Sequence, residues 1–78
     1  MVPSLTILQK RDSEQSQHRY YLLDVQPHLF GGWSLIREWG RIGHPGRIKI
    51  DLCDTLEEAA HAFNEKLRQK QRRGYGQI

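Results

Sequence analysis

The chain has 78 residues, with 12 Lys or Arg against 9 Asp or Glu and one cysteine, Cys53. That length admits one domain, expected to occupy residues 1–78, and the lone cysteine excludes an intrachain disulfide. No Cys–His grouping has zinc-site spacing, Met1 to Arg11 lacks the pattern of a signal peptide, and no stretch approaches membrane-spanning length, so a cytoplasmic setting is expected.

Charge is distributed unevenly. Residues 1–65 carry a formal balance of −2, while residues 66–78 carry +5 from Lys66, Arg68, Lys70, Arg72 and Arg73. A basic cluster of this kind is the electrostatic footprint of polyanion binding. Cations near a helix C-terminus also favour the macrodipole, which accounts for one or two of the five.

Taken in order, Val2 to Lys10 reads as a first strand with Leu5, Ile7 and Leu8 as its apolar content, and Pro3 confines its start to an edge. Arg11 to Gln17 reads as a polar loop. Arg19 to Gln26 is a second strand, with Tyr21, Leu23 and Val25 on one face and Tyr20, Leu22 and Asp24 on the other. Pro27 to Gly32 is a turn-rich connection. The third strand starts at Trp33, and Trp33, Leu35, Arg37 and Trp39 alternate with Ser34, Ile36 and Glu38. Gly40 breaks the alternation, as a bulge or a close backbone approach does.

Gly43-His44-Pro45-Gly46 reads as the next turn, with Gly46 at its positive-φ position. Arg47 to Cys53 shows clean alternation, which assigns Ile48, Ile50 and Leu52 to the core and Arg47, Lys49 and Asp51 to water. From Asp54-Thr55 onwards, a capping box of Thr55 and Glu58 opens a helix of about eighteen residues. Leu56, Ala59, Ala60, Phe63 and Leu67 form its apolar stripe, and Gly74 is its stop. Short connections favour antiparallel neighbours. The expected fold is α+β: a four-stranded antiparallel sheet with one C-terminal helix packed across its inner face.

Trp39-Gly40-Arg41 admits two readings. Trp39 fills core space and Arg41 is an ordinary edge cation, or Trp39 offers a flat face to a sugar or base and Arg41 offers a planar fork to phosphate.

The run Trp39-Gly40-Arg41-Ile42-Gly43, preceded by Trp33 and Arg37, resembles the signature of the WGR domain family. Arg19-Tyr20-Tyr21 upstream is similar to that family's basic-aromatic-aromatic strand opening. Residues Thr55 to Tyr75, with the spacing Ala59–Phe63, late Lys70 and terminal Gly74-Tyr75, are similar to its helix. The resemblance covers about residues 18–76. It implies the α+β arrangement above, with the C-terminal helix packed across the concave face of the four-stranded antiparallel sheet, and nucleic-acid binding; in poly(ADP-ribose) polymerases such a domain holds the end of a DNA break. Carried over by position, Trp39 would stack on a terminal sugar and Arg41 would anchor phosphate or a neighbouring domain. Arg19, Lys70 and Tyr75 would lie near the DNA backbone; Arg72-Arg73 departs from the more neutral residues the family has before its Gly-Tyr, and adds phosphate attraction. As a short free-standing form the chain looks most like bacterial members of the family.

Catalysis is not expected, because nothing supplies a Gly-rich phosphate loop, a nucleophile elbow or a nucleophile–base–orienter set. No cofactor or metal is expected. The expected function is a non-catalytic nucleic-acid-binding module. It would act as a monomer on DNA ends or nicks, with RNA as a further candidate and without sequence specificity. The rival is a protein–protein adaptor using the same Trp39 and Arg41 surface, in which a partner supplies any enzymatic activity.

Overall fold

The computed structural model describes residues 5–12 and 17–77. The elements are β1 (Thr6–Asp12), β2 (Gln17–Pro27), β3 (Trp33–Arg41), β4 (Arg47–Cys53), α1 (Leu56–Arg72) and β5 (Gly76–Gln77). Among the described residues the sheet has five strands in the order β4-β3-β2-β1-β5, and every pairing is antiparallel. The α+β class and the single C-terminal helix therefore hold, and the strand count is corrected from four to five. The addition is two residues long, far too short to leave a periodic trace in the sequence.

Registers fix the faces. Leu8 lies opposite Tyr21, Tyr21 opposite Trp39, and Val25 opposite Leu35. These residues point to the side on which α1 packs. Leu8, Tyr21, Leu23, Val25, Leu35, Ala59 and Phe63 form the buried core, with Leu56, Ala62, Leu67, Trp33 and Trp39 partly buried around it. Phe63, Leu8 and Leu23 are the largest fully buried side chains. Ala59 lets the helix axis come close to the sheet, and Phe63 fills the space beside it.

Both ends of α1 are satisfied by side chain or backbone. Thr55 Oγ1 accepts from the Glu58 N–H at 3.1 Å, and Glu58 Oε2 accepts from the Asp54 N–H at 3.2 Å. At the other end the Gly74 N–H donates to the Gln71 carbonyl at 3.1 Å and the Tyr75 N–H to the Lys70 carbonyl at 3.0 Å. That paired cap needs a left-handed residue, and Gly74 has φ +95°. The cap turns the chain back over the sheet, and Gly76 then pairs with Gln9 of β1.

Three local expectations change. The first strand starts at Thr6 and runs to Asp12 in place of Val2 to Lys10, so Arg11 and Asp12 belong to the sheet, while residues 1–4 and 13–16 lie outside the described residues. The β3–β4 turn closes through the His44 N–H to the Arg41 carbonyl at 3.0 Å, and its positive-φ residue is Gly43 at +86°, not Gly46. Ile48, Ile50 and Leu52 do not face the core: they are 64, 56 and 67 % exposed on the side away from α1. Leu35 pairs with Asp51, which places the polar set of β4 on the helix side. Alternation gives the two faces of a strand correctly, but the rule that the apolar face is the inner one fails on this outermost strand.

Candidate nucleic-acid interface

The registers lay out two rows of side chains across the helix-bearing face, at the end of the sheet nearest the helix C-terminus. The first is Leu8–Tyr21–Trp39–Arg47, and the next one outward is Lys10–Arg19–Arg41. Arg19 is thus the direct cross-strand neighbour of both Lys10 and Arg41. Like charges in that relation repel, and an anion placed over them removes the repulsion.

Aromatic rings stand beside this row. Tyr21 and Trp39 stack with centroids 5.9 Å apart and planes inclined by 13°, and Tyr75 meets the Tyr21 ring edge-on at 6.3 Å. Lys70 Nζ lies 4.5 Å from the Tyr21 ring centre and 5.7 Å from that of Tyr75. Lys10 Nζ is 6.0 Å from the Tyr75 ring centre, and Arg37 Cζ is 5.8 Å from that of Trp39. These are cation–π distances, and they hold cations and rings in one layer. Burial, followed by repulsion from Arg73, Lys66 and Arg37, lowers the pKa of Lys70. Cations from α1 and β3 are thus gathered around Lys70.

All six residues picked from the sequence lie at this end. Arg19, Arg41 and Arg73 are exposed, while Trp39, Lys70 and Tyr75 are half-buried. Trp39 packs against the core cluster and stacks on Tyr21, so the packing reading of that tryptophan has a structural basis, and its exposed remainder is what a ligand could meet. Sequence reading missed Lys10, Tyr21 as a ring of the stack, and Arg37. The cross-strand register was the signal that would have found Lys10 and Tyr21. Arg37 also bonds Asp51 Oδ2, with Nη2 at 3.0 Å and Nε at 3.1 Å. This ion pair lines an open cleft of ≈ 610 Å³ whose α1 side carries Lys66, Arg68 and Arg72 together with Glu65 and Gln69. A second, smaller hollow of ≈ 380 Å³ adjoins Arg41 and is lined by Arg11, His18, Ile42 and His44.

Gly40 is explained by space. A Cβ built there would lie 2.9 Å from Gly46 Cα, and one on Gly46 would meet Tyr20 Oη at 2.2 Å and the Trp39 carbonyl oxygen at 2.5 Å. The two glycines let the turn fold flat against the strand that carries Trp39 and Arg41. Behind them Tyr20 Oη donates to Glu38 Oε2 at 2.6 Å. This bond, then desolvation and the Glu38 charge, raises the Tyr20 pKa.

Among the described residues no three His, Cys, Asp or Glu side chains converge as a metal site, and no helix is long and apolar enough to cross a membrane. Cys53 has its pKa raised by burial and then by Glu58, Asp51 and Asp54, which makes it a weak nucleophile.

Comparison with known proteins follows the same lines. The chain is 37 % identical, over 94 % of its length, to the uncharacterised protein y4dW of Sinorhizobium fredii, of which it spans 36 %. It is 24 % identical, over 90 % of its length, to the human protein mono-ADP-ribosyltransferase PARP3, of which it spans 13 %. The chain thus covers about a third or less of either relative. No solved structure matches. The profile of the WGR domain matches residues 5–78, and the chain belongs to the WGR domain family.

Proposed function

We propose that this domain is a non-catalytic module that grips the end or nick of a DNA duplex by its sugar–phosphate backbone. WGR domains are known as nucleic-acid-binding modules from proteins of the poly(ADP-ribose) polymerase kind, and the family is a non-catalytic one. The observation that carries the reading is the cation row Lys10–Arg19–Arg41 lying directly beside the Trp39–Tyr21–Tyr75 rings. Arg fits phosphate bidentately and Lys acts as a point charge, so the row tracks a backbone. The exposed part of Trp39 meets a terminal sugar or base, a contact that an uninterrupted duplex does not offer. Lys70, Arg73 and Tyr75 border the same end from the helix side. α1 packs against the sheet along its apolar stripe and is not free to enter a major groove, so recognition is independent of sequence.

A length series tests this. Sedimentation of the protein with blunt duplexes of increasing length gives a saturating stoichiometry of about two proteins per duplex at every length for an end binder. Stoichiometry rising in proportion to length means coating through the basic helix, and contradicts end recognition. No binding at any length favours the adaptor reading.

A further inference from the structure

We infer that β4 is a self-complementary edge through which two copies of this chain pair, joining their sheets. β4 is the outermost strand on its side of the sheet, and its seven residues present backbone groups to no strand among the described residues. The opposite edge is the two-residue β5, a short strand of the kind that blunts an edge. β4 is long, and on the face away from α1 it carries Ile48, Ile50 and Leu52, each more than half exposed. An edge that combines open backbone with an apolar stripe is a template for another strand.

The sequence Arg47-Ile48-Lys49-Ile50-Asp51-Leu52-Cys53 selects a second copy of itself as that strand. In an antiparallel pair centred on Ile50, Ile50 meets Ile50, Ile48 meets Leu52, and Lys49 meets Asp51 twice. The apolar pairs fall on one face and the two ion pairs on the other. A slip of two residues either way sets Lys49 against Lys49 or Asp51 against Asp51. A slip of one sets the aliphatic residues against the charges. Of these registers only the one centred on Ile50 joins aliphatic to aliphatic and acid to base with no like-charge pair, leaving Arg47 opposite Cys53; the pairing is isologous, so it closes as a two-fold dimer rather than an open fibre.

The rest of the sheet agrees with this partner. Within one chain Lys49 lies opposite Arg37, a like-charge neighbour, and has no acid across from it. Arg37 directs Nε and Nη2 to Oδ2 of Asp51, while its Nη1 donates to the Tyr21 hydroxyl. Oδ1 is left to receive Lys49 from the other copy, giving alternating charge across the joint: Arg37, Asp51, Lys49. Because the two-fold axis stands perpendicular to the sheet, both helices lie on the same face of the joined sheet, and the two Trp39 ends fall at its opposite ends. The monomer expected from sequence gives way to a dimer. This inference stands on β4 alone and is independent of nucleic-acid binding.

Sedimentation equilibrium without nucleic acid tests it, over roughly 1 to 500 μM, the span in which a modest interface dissociates. The wild-type chain is expected to associate as a dimer. Lys49→Asp sets carboxylate against carboxylate at both Lys49–Asp51 positions of the joint and should weaken association by about tenfold or more; Lys49→Arg should leave it in place. Asp51→Lys makes the edge all-base, and mixing it with Lys49→Asp should restore a heterodimer. Lys49 is exposed, so Lys49→Asp should keep the native near-ultraviolet circular dichroism even if Asp51→Lys, which also breaks the Arg37 pair, does not fold. A wild-type chain that stays monomeric throughout, or a folded Lys49→Asp that associates like wild type, overturns the inference.

Discussion

At the residue scale, Gly40 and Gly46 separate two demands that a sequence merges under one letter. Neither has a positive φ; both are small because backbone and Tyr20 occupy the space a Cβ would take. Gly40→Ala has to push the Gly46 backbone away, and a cost of about 1–3 kcal/mol is expected from urea unfolding. Gly46→Ala should cost more, since its clash is with both a carbonyl oxygen and the Tyr20 hydroxyl. Tyr20 provides a separate check. Its bond to Glu38 favours the neutral phenol, so tyrosinate absorbance should show one tyrosine ionising above the ordinary value, and Glu38→Gln should bring it down. The sign for stability follows: the contribution is present below the unfolded-state pKa and is lost as pH rises through the higher folded-state one.

At the scale of elements, the helix was legible because its start, stripe and stop are all local signals. Thr55, Glu58, Phe63 and Gly74 do what residue type and spacing imply. Strand existence was legible for the same reason, and Tyr21, Leu23 and Val25 are core as their period suggests. What did not come through depends on long-range register. β5 exists because the Gly74 cap turns the chain back on β1, and the exposed face of β4 is fixed by the pairing of Leu35 with Asp51. Gly74 should therefore be sensitive beyond its own cap. Gly74→Ala forces an L side chain into φ +95°, and a loss of about 1 kcal/mol or more is expected in thermal unfolding. Amide exchange should rise at Tyr75 and Gly76 together, because one cap positions both.

For the whole molecule, the candidate site was half legible. Trp39, Arg41, Arg19, Lys70, Arg73 and Tyr75 were picked from motif and charge, and the fold gathers them at one end of one face. Lys10 was invisible because its partner Arg19 lies across a strand pair, and the place of Arg37 depends on its ion pair with Asp51. The net charge of +3 understates the field a polyanion meets, since the excess sits in the last thirteen residues. Replacing both Lys70 and Arg73 with alanine should weaken binding to every DNA form alike. It should also reduce the slope of log affinity against log salt by about 1.8 for two lost duplex phosphate contacts.

In the proposed function the exposed part of Trp39 reads an end while the cations beside it hold the backbone. Fluorescence anisotropy at one moderate salt concentration compares a blunt duplex bearing a 5′ phosphate with a sealed dumbbell of equal length, for the wild-type protein and for Trp39→Ala. Half-burial against Tyr21 predicts that Trp39→Ala loses about 2 kcal/mol of stability but still folds. The wild-type chain should bind the open end more tightly than the dumbbell, and folded Trp39→Ala should bind both equally. Equal binding of the two DNAs by the wild-type protein, or an end preference that survives in folded Trp39→Ala, would contradict the account.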